Sequence, residues 1–138
     1  MTAFRPILPL AALLLAAPAP ALDLQEGLWE VTATTEAEGL PMKMQPVTTR
    51  ECLTEAQAIP QPQQDGNADC QPQNVRTEGD TVSWEMECAM QGGEASAEGA
   101  ITYRGDTLTG GWRMQARAQG MTMVMNTRIE GRRVGPCP

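Results

Sequence analysis

The chain has 138 residues, a formal net charge of −7 and no histidine. This length fits one domain with a modest core, and the acidic balance makes nucleic-acid binding a poor expectation. Without histidine the chain has no Ser–His or Cys–His nucleophile and no histidine metal ligand.

The beginning of the chain has the features of a secretory signal peptide. Arg5 precedes an apolar run over residues 7–17, and Ala19-Pro20-Ala21 fits the small-x-small pattern of a cleavage site. The apolar run is about half as long as a bilayer span, so an uncleaved anchor is the weaker interpretation. We predict a signal peptide over residues 1–21, cleaved after Ala21, and a single exported domain over residues 22–138 that does not span a membrane.

Period-two alternation predicts that most of the remaining chain is antiparallel strand. In the first run, Trp29, Val31 and Ala33 alternate with polar residues. Three later runs repeat the pattern: "TVSWEMECAM" (81–90), "TLTGGWRMQARA" (107–118) and "MTMVMNTRIEG" (121–131). Hairpin turns are predicted at four dipeptides, Gly79-Asp80, Gly92-Gly93, Gly105-Asp106 and Gln119-Gly120.

The segment over residues 53–73 has a different composition. Thr54 can cap a helical turn over residues 55–58, which Pro60 ends. The Gln-, Pro- and Asp-rich remainder is predicted to be a loop, tied down by the cysteines that bracket it.

These elements predict an all-β fold. We expect an antiparallel up-and-down meander of about seven strands, curled into a barrel or half-barrel, with one short helical turn. Curling protects strand edges. Gly110 and Gly111 lie within a strand, which suggests a bulge or a sharp bend at that point.

The four cysteines predict two disulfides, because an even count in an exported chain usually means paired thiols. A tight hairpin at Gly79-Asp80 places Cys88 opposite position 71, and a small shift in turn length would bring Cys70 within bridging range. We therefore predict Cys70–Cys88, which leaves Cys52–Cys137. Other connectivities stay open, since sequence cannot prove the pairing.

Charge is unevenly distributed along the chain. Residues 22–103 contain 15 acids and 3 bases, whereas residues 104–138 contain 6 bases and 2 acids. The basic part could face an anionic surface, but cross-strand ion pairs are the simpler interpretation. Glu85 and Glu87 share a strand face, as solvent-facing glutamates on an amphipathic strand commonly do. With no acid in an apolar setting, we expect a protein that is not an enzyme.

Methionine is unusually abundant, with eight residues after the predicted cleavage site. Met121, Met123 and Met125 share one strand face. Methionine packs irregular cores, so we favour a core position for this face. A second interpretation is a surface for an apolar ligand, formed by Trp112, Met114, Met121, Met123 and Met125. A third is a Cu(I) site, for which the thioether ligands would be Met42, Met44, Met121, Met123 and Met125.

Several strings resemble a known family. They are "EGLWEVT" (26–32), the Met-x-Met at 42–44, "ECLT" (51–54), "GDTVSWEMEC" (79–88), "GAITYRGDTLTG" (99–110) and "GMTMVMNTRIEGRRVGPC" (120–137). They are similar to secreted bacterial proteins of domain-of-unknown-function family 3617, although Glu26 stands where members often have proline. The resemblance implies a periplasmic, all-β, disulfide-bonded protein, and it supplies no activity.

We therefore expect a non-catalytic periplasmic monomer without a cofactor. It would bind a small apolar or lipid-like ligand or serve envelope maintenance. The alternative is a methionine-based Cu(I) carrier.

Overall fold

A computed structural model describes residues 21–41, 43–65 and 68–138. The predicted signal peptide, except Ala21, and Met42 lie outside these ranges. Within them the strands are β1 (Gly27–Ala37), β2 (Val47–Leu53), β3 (Gln63–Asp65), β4 (Ala68–Glu78), β5 (Thr81–Met90), β6 (Gly93–Arg104), β7 (Thr107–Ala118) and β8 (Met121–Gly135).

All the described strands form one antiparallel sheet in the order β2-β1-β8-β7-β6-β5-β4-β3. This confirms the all-β fold, and the run from β3 to β8 is the predicted meander. The strands β2 and β3 are the two edges and do not pair with each other, so the sheet is open. Of the two expected shapes, the half-barrel is therefore the observed one.

The connection from β2 to β3 runs from one edge of the sheet to the other. It contains the predicted helical turn, in which the Ala58 amide donates to the Thr54 carbonyl at 3.0 Å. The Gln57 side-chain oxygen in turn accepts from the Thr54 amide at 3.0 Å, so the first turn is capped. Ala58 is buried against the core. The connection therefore bridges the open side of the half-barrel.

The rest of this segment corrects the loop prediction, because β3 and the first part of β4 are strands. These strands were not predicted because their residues are mostly polar and show no clear alternation of apolar and polar side chains. Pro72 in β4 is tolerated because β3 pairs only as far as Cys70, so beyond that residue β4 is an edge of the sheet. A smaller correction concerns the hairpin between β5 and β6. The sequence predicts its turn at Gly92-Gly93, but Met90 pairs with Gly93, so the turn residues are Gln91 and Gly92.

Both predicted disulfides are confirmed. Cys70–Cys88 joins directly opposite residues of β4 and β5, with Cα atoms 4.0 Å apart. The shift that aligns them lies in a β-bulge between Gln73 and Arg76, not in the turn. Asn74, within the bulge, has a φ of 49°, a left-handed conformation that asparagine tolerates better than most residues. Cys52–Cys137 fastens the end of β2 to the C-terminus, with Cα atoms 5.3 Å apart.

The bulge predicted at Gly110-Gly111 is wrong, because β7 pairs in unbroken register with β6 and β8. Glycine is needed there for close approach between strands. A Cβ on Gly110 would collide with the Ala100 carbonyl and lie 2.8 Å from the Cα of Ile101.

The core lies at one end of the concave face. The fully buried side chains there are Trp29, Val82 and Tyr103. Leu22, Leu53, Ala58, Leu108 and Ile129 complete the cluster. We call this the core end. The hairpin turns at Gln91-Gly92 and Gln119-Gly120 mark the opposite end of the strands.

Glu30 links three neighbouring strands on the convex face. Arg50 of β2 donates to its carboxylate at 3.0 and 3.1 Å, and Arg132 of β8 donates at 2.9 Å. This arrangement supports cross-strand pairing as the role of these basic residues. The hydrogen bonds from Arg132 and Arg50 hold the pKa of Glu30 below its usual value of 4.5.

The lowered pKa predicts a stability difference that depends on pH. Glu30 should stabilise the fold above its unfolded-state pKa, and this contribution should disappear as pH falls through the folded-state pKa. Chemical denaturation of Glu30→Gln should therefore differ most from wild type at neutral pH, and the two should converge as pH falls below the lowered pKa of Glu30. Glu87→Gln, which removes an exposed carboxylate on the same face, is the control. A constant difference at every pH would contradict the prediction.

Candidate functional site

Strand register sorts the side chains onto two faces, because directly opposite residues point the same way. Across the middle of the sheet, Trp84, Gly99 and Trp112 form one concave row. The next row toward the far end contains Met86, Ala97, Met114 and Met125. Glu85 and Glu87 point to the convex face and are exposed, as expected for solvent-facing glutamates.

The concave face forms an open cavity of about 480 Å³. This volume lies within the usual range for small-molecule sites. Its walls come from β1, β2, β4 to β8 and the bridging connection, and they include Val31, Leu53, Trp84, Met86, Ala97, Ile101, Leu108, Trp112, Met114 and Ile129. The lining is therefore predominantly apolar.

Trp84 and Trp112 stand on either side of Gly99 in this cavity. Both are half-buried and pack against the core cluster, whereas Trp29 is the tryptophan that is fully buried. A Cβ on Gly99 would lie 2.8 Å from Trp84 Cζ2 and 2.8 Å from Trp112 Cβ. The missing side chain thus provides the space that the two indoles occupy.

Methionines concentrate at the end of the concave face opposite the core. The six residues are Met86, Met90, Met114, Met121, Met123 and Met125. Small residues lie between them in the register, namely Gly93, Ala95, Ala97, Ala116 and Ala118. We call this region the methionine end. It combines flexible, polarisable methionine side chains with small residues that leave space between them. This combination suits apolar ligands of varied shape.

The favoured core position for Met121 and Met123 is wrong. Their relative exposures are 71% and 51%, and they lie where the sheet extends past the packed core. Met125 is half-buried and pairs with Met114 and with Ala37. Of the residues in the predicted apolar ligand face, Trp112 and Met114 line the cavity. The other three continue the same face beyond it.

Among the described residues, the thioethers of the alternative copper site are spread along the chain and are not gathered at one point. Met121, Met123 and Met125 recur every second residue of β8, which separates their Cα atoms by about 7 Å per step. Met44 is exposed in the segment before β2, and Met42 lies outside the described residues. Within the described ranges, no group of three or more Cys, Asp or Glu side chains is placed to hold a metal.

The sequence-based ligand face did not include the polar residues of the cavity, among them Glu51 and Tyr103. Tyr103 lies on the concave face of β6, two residues after Ile101, so strand alternation could have found it. Glu51 lies on β2 directly opposite Trp29 and therefore also faces inward. Simple amphipathic patterning assigns acidic residues to the solvent face, so it did not identify Glu51 as a cavity residue.

The class of protein defined by this geometry is an open, curled, disulfide-bonded β-sheet with an apolar cavity on its concave face. In the described part of the chain, no helix has the length and apolar character to span a bilayer. Residues 24–137 match the family described as Protein of unknown function (DUF3617), and the chain belongs to that family. Neither a curated protein nor a solved structure matches the chain.

Proposed function

We propose that this protein is a non-catalytic periplasmic protein that binds a small apolar molecule on the concave face of its sheet. The single observation that carries the proposal is the cavity of about 480 Å³ with an apolar lining. An apolar concave site with few polar groups is the usual form of a small-molecule site.

The distribution of side chains supports a binding role for the methionine end. The large side chains that are fully buried, Trp29, Val82 and Tyr103, lie at the core end, where packing stabilises the fold. At the methionine end, glycine and alanine lie between the thioethers, and the two half-buried indoles lie in the neighbouring row. Exposed apolar surface of this kind is costly in water, and natural proteins commonly retain it for an interaction.

The bridging connection supports retention of a ligand. Gln57, Ala58 and Pro60 line the cavity from the open side of the half-barrel. Cys52 is the second-last residue of β2, which leads into this connection, and it also lines the cavity. Its disulfide with Cys137 therefore fixes the β2 end of the bridging connection to the C-terminus.

The two disulfides and the signal-like beginning of the chain support the proposed compartment. Disulfides persist in oxidising compartments such as the bacterial periplasm. The expected processed form begins at Leu22 and contains no free thiol.

Filling the cavity should abolish binding. Ala97 lies between Met86 and Met114 on the concave face, so Ala97→Phe should occupy the floor. The matched control is Ser96→Phe, which places the same ring on the convex face of the same strand. Titration with decan-1-ol, followed by tryptophan fluorescence, should show saturable binding to wild type and to Ser96→Phe. Ala97→Phe should lose that binding, and undiminished binding by a folded Ala97→Phe would contradict the proposal.

A triple variant can distinguish an apolar role for Met121, Met123 and Met125 from the alternative role as Cu(I) ligands. Replacing Met121, Met123 and Met125 with leucine is nearly volume-conserving and should cost less than about 1.5 kcal/mol per site. The triple variant should fold and still bind decan-1-ol, because leucine keeps the face apolar. Stoichiometric Cu(I) on the wild type, abolished in the folded triple variant, would instead support a copper carrier.

A further inference from the structure

The core end of the cavity contains a buried hydroxyl without a hydrogen-bond partner in the described residues. Tyr103 is 2% exposed and lines the cavity. No fully enclosed side-chain polar atom in the described part of the chain lacks a partner. The Tyr103 hydroxyl therefore keeps some accessible surface, and it belongs to a residue that lines the cavity.

Glu51 supplies the second polar group at this end. It lines the same cavity from β2, and its charge acts on Tyr103 although β2 and β6 are separated by three strands in the sheet. Curling brings these two residues near each other. Gln57 also lines the cavity, but its side-chain oxygen already accepts from the Thr54 amide and lies within 3.1 Å of the Thr54 hydroxyl.

The protonation states define what this pair can recognise. Burial, with a smaller contribution from Glu51, raises the pKa of Tyr103 to about 12. The phenol is thus a hydrogen-bond donor at neutral pH, whereas the carboxylate oxygens of Glu51 accept hydrogen bonds. A matching ligand group must accept one hydrogen bond and donate another.

We propose that the cavity selects a neutral apolar molecule bearing a terminal hydroxyl, held between Tyr103 and Glu51. This inference rests on the proposed function. A hydroxyl both donates and accepts, so it satisfies both residues. A carboxylate could accept from Tyr103 but would face the like charge of Glu51. An ammonium group could pair with Glu51 but offers no acceptor to Tyr103.

The test compares three probes of equal chain length, decan-1-ol, decanoate and decylamine, by tryptophan fluorescence at neutral pH. Wild type should bind the alcohol roughly tenfold or more tightly than the carboxylate, because like charges disfavour the latter. Tyr103→Phe should weaken alcohol binding by about threefold to tenfold. It should not destabilise the unliganded protein, since the lost hydroxyl has no protein partner there.

Glu51→Gln should improve decanoate binding by removing the like charge and should thereby narrow the preference for the alcohol. Glu130→Gln makes the same charge change on the convex face and should leave the preference unchanged. Equal or tighter binding of decanoate or decylamine by wild type would overturn this inference but keep the apolar site. Unchanged alcohol affinity in Tyr103→Phe would also overturn it. Failure of all three probes to bind would overturn the proposed function as well.

Discussion

Replacing Trp29 with alanine should lower the free energy of unfolding by about 3–5 kcal/mol. Trp29 has no exposed surface, and its Nε1 donates to the Gln25 carbonyl at 3.0 Å. The substitution removes a large apolar side chain and leaves a cavity at the core end. Total stabilities of single domains are about 5–15 kcal/mol, so the loss should be a large fraction of the whole. Urea unfolding monitored by circular dichroism measures it.

Trp84→Ala and Trp112→Ala are matched controls for this prediction. Both indoles are half-buried and face the cavity, so a smaller loss than at Trp29 is expected at each site. A loss at Trp29 no larger than at the other two would contradict the assignment of the core end.

Removal of Cys52–Cys137 by the double serine variant should cost about 4–5 kcal/mol in the chain-entropy model. The bonded residues are 85 positions apart, so the bond restricts a long segment of the unfolded chain. It also holds β2 and the bridging connection against the C-terminus. Denaturant unfolding of the double variant, with the other disulfide intact, measures the effect.

The Cys70–Cys88 double serine variant is the comparison. Its bonded residues are 18 positions apart, so the same model predicts a smaller loss of about 3 kcal/mol. The cross-strand hydrogen bonds of β4 and β5 should persist without it. A larger loss for the shorter loop would show that native-state interactions, and not loop length, set the contributions of the two bonds.

Sequence predicted most of the strands because alternation is a local signal. Trp29, Val82, Leu108 and Ile129 fall on the buried face, as their period-two positions imply. Both disulfides also followed from cysteine count and hairpin geometry. Predicting the bulge at Asn74 was beyond local patterning, because β4 has few apolar side chains whose alternation could reveal a one-residue change in register.

The nonlocal features could not be predicted in the same way. Pairing of β1 with β8 joins the two ends of the sequence, and no local pattern specifies which strand becomes an edge. Because β1 pairs with β8, β2 lies at one edge of the sheet and β3 at the other. The connection after Leu53 therefore has to cross the open side. Methionine patterning gave the face of Met121 and Met123 correctly, but the extent of their burial depended on where packing ends along the strand.

The central claim is that an apolar molecule occupies the concave cavity, and methionine-methyl NMR tests it most directly. Decan-1-ol added to protein labelled at methionine methyl groups should shift the Met86 and Met114 signals, because both side chains line the cavity. Met44, exposed in the segment before β2, should be unaffected. Saturable shifts confined to the concave methionines are the predicted result. Unchanged Met86 and Met114 signals at saturating decan-1-ol, or shifts at Met44 alone, would contradict the account.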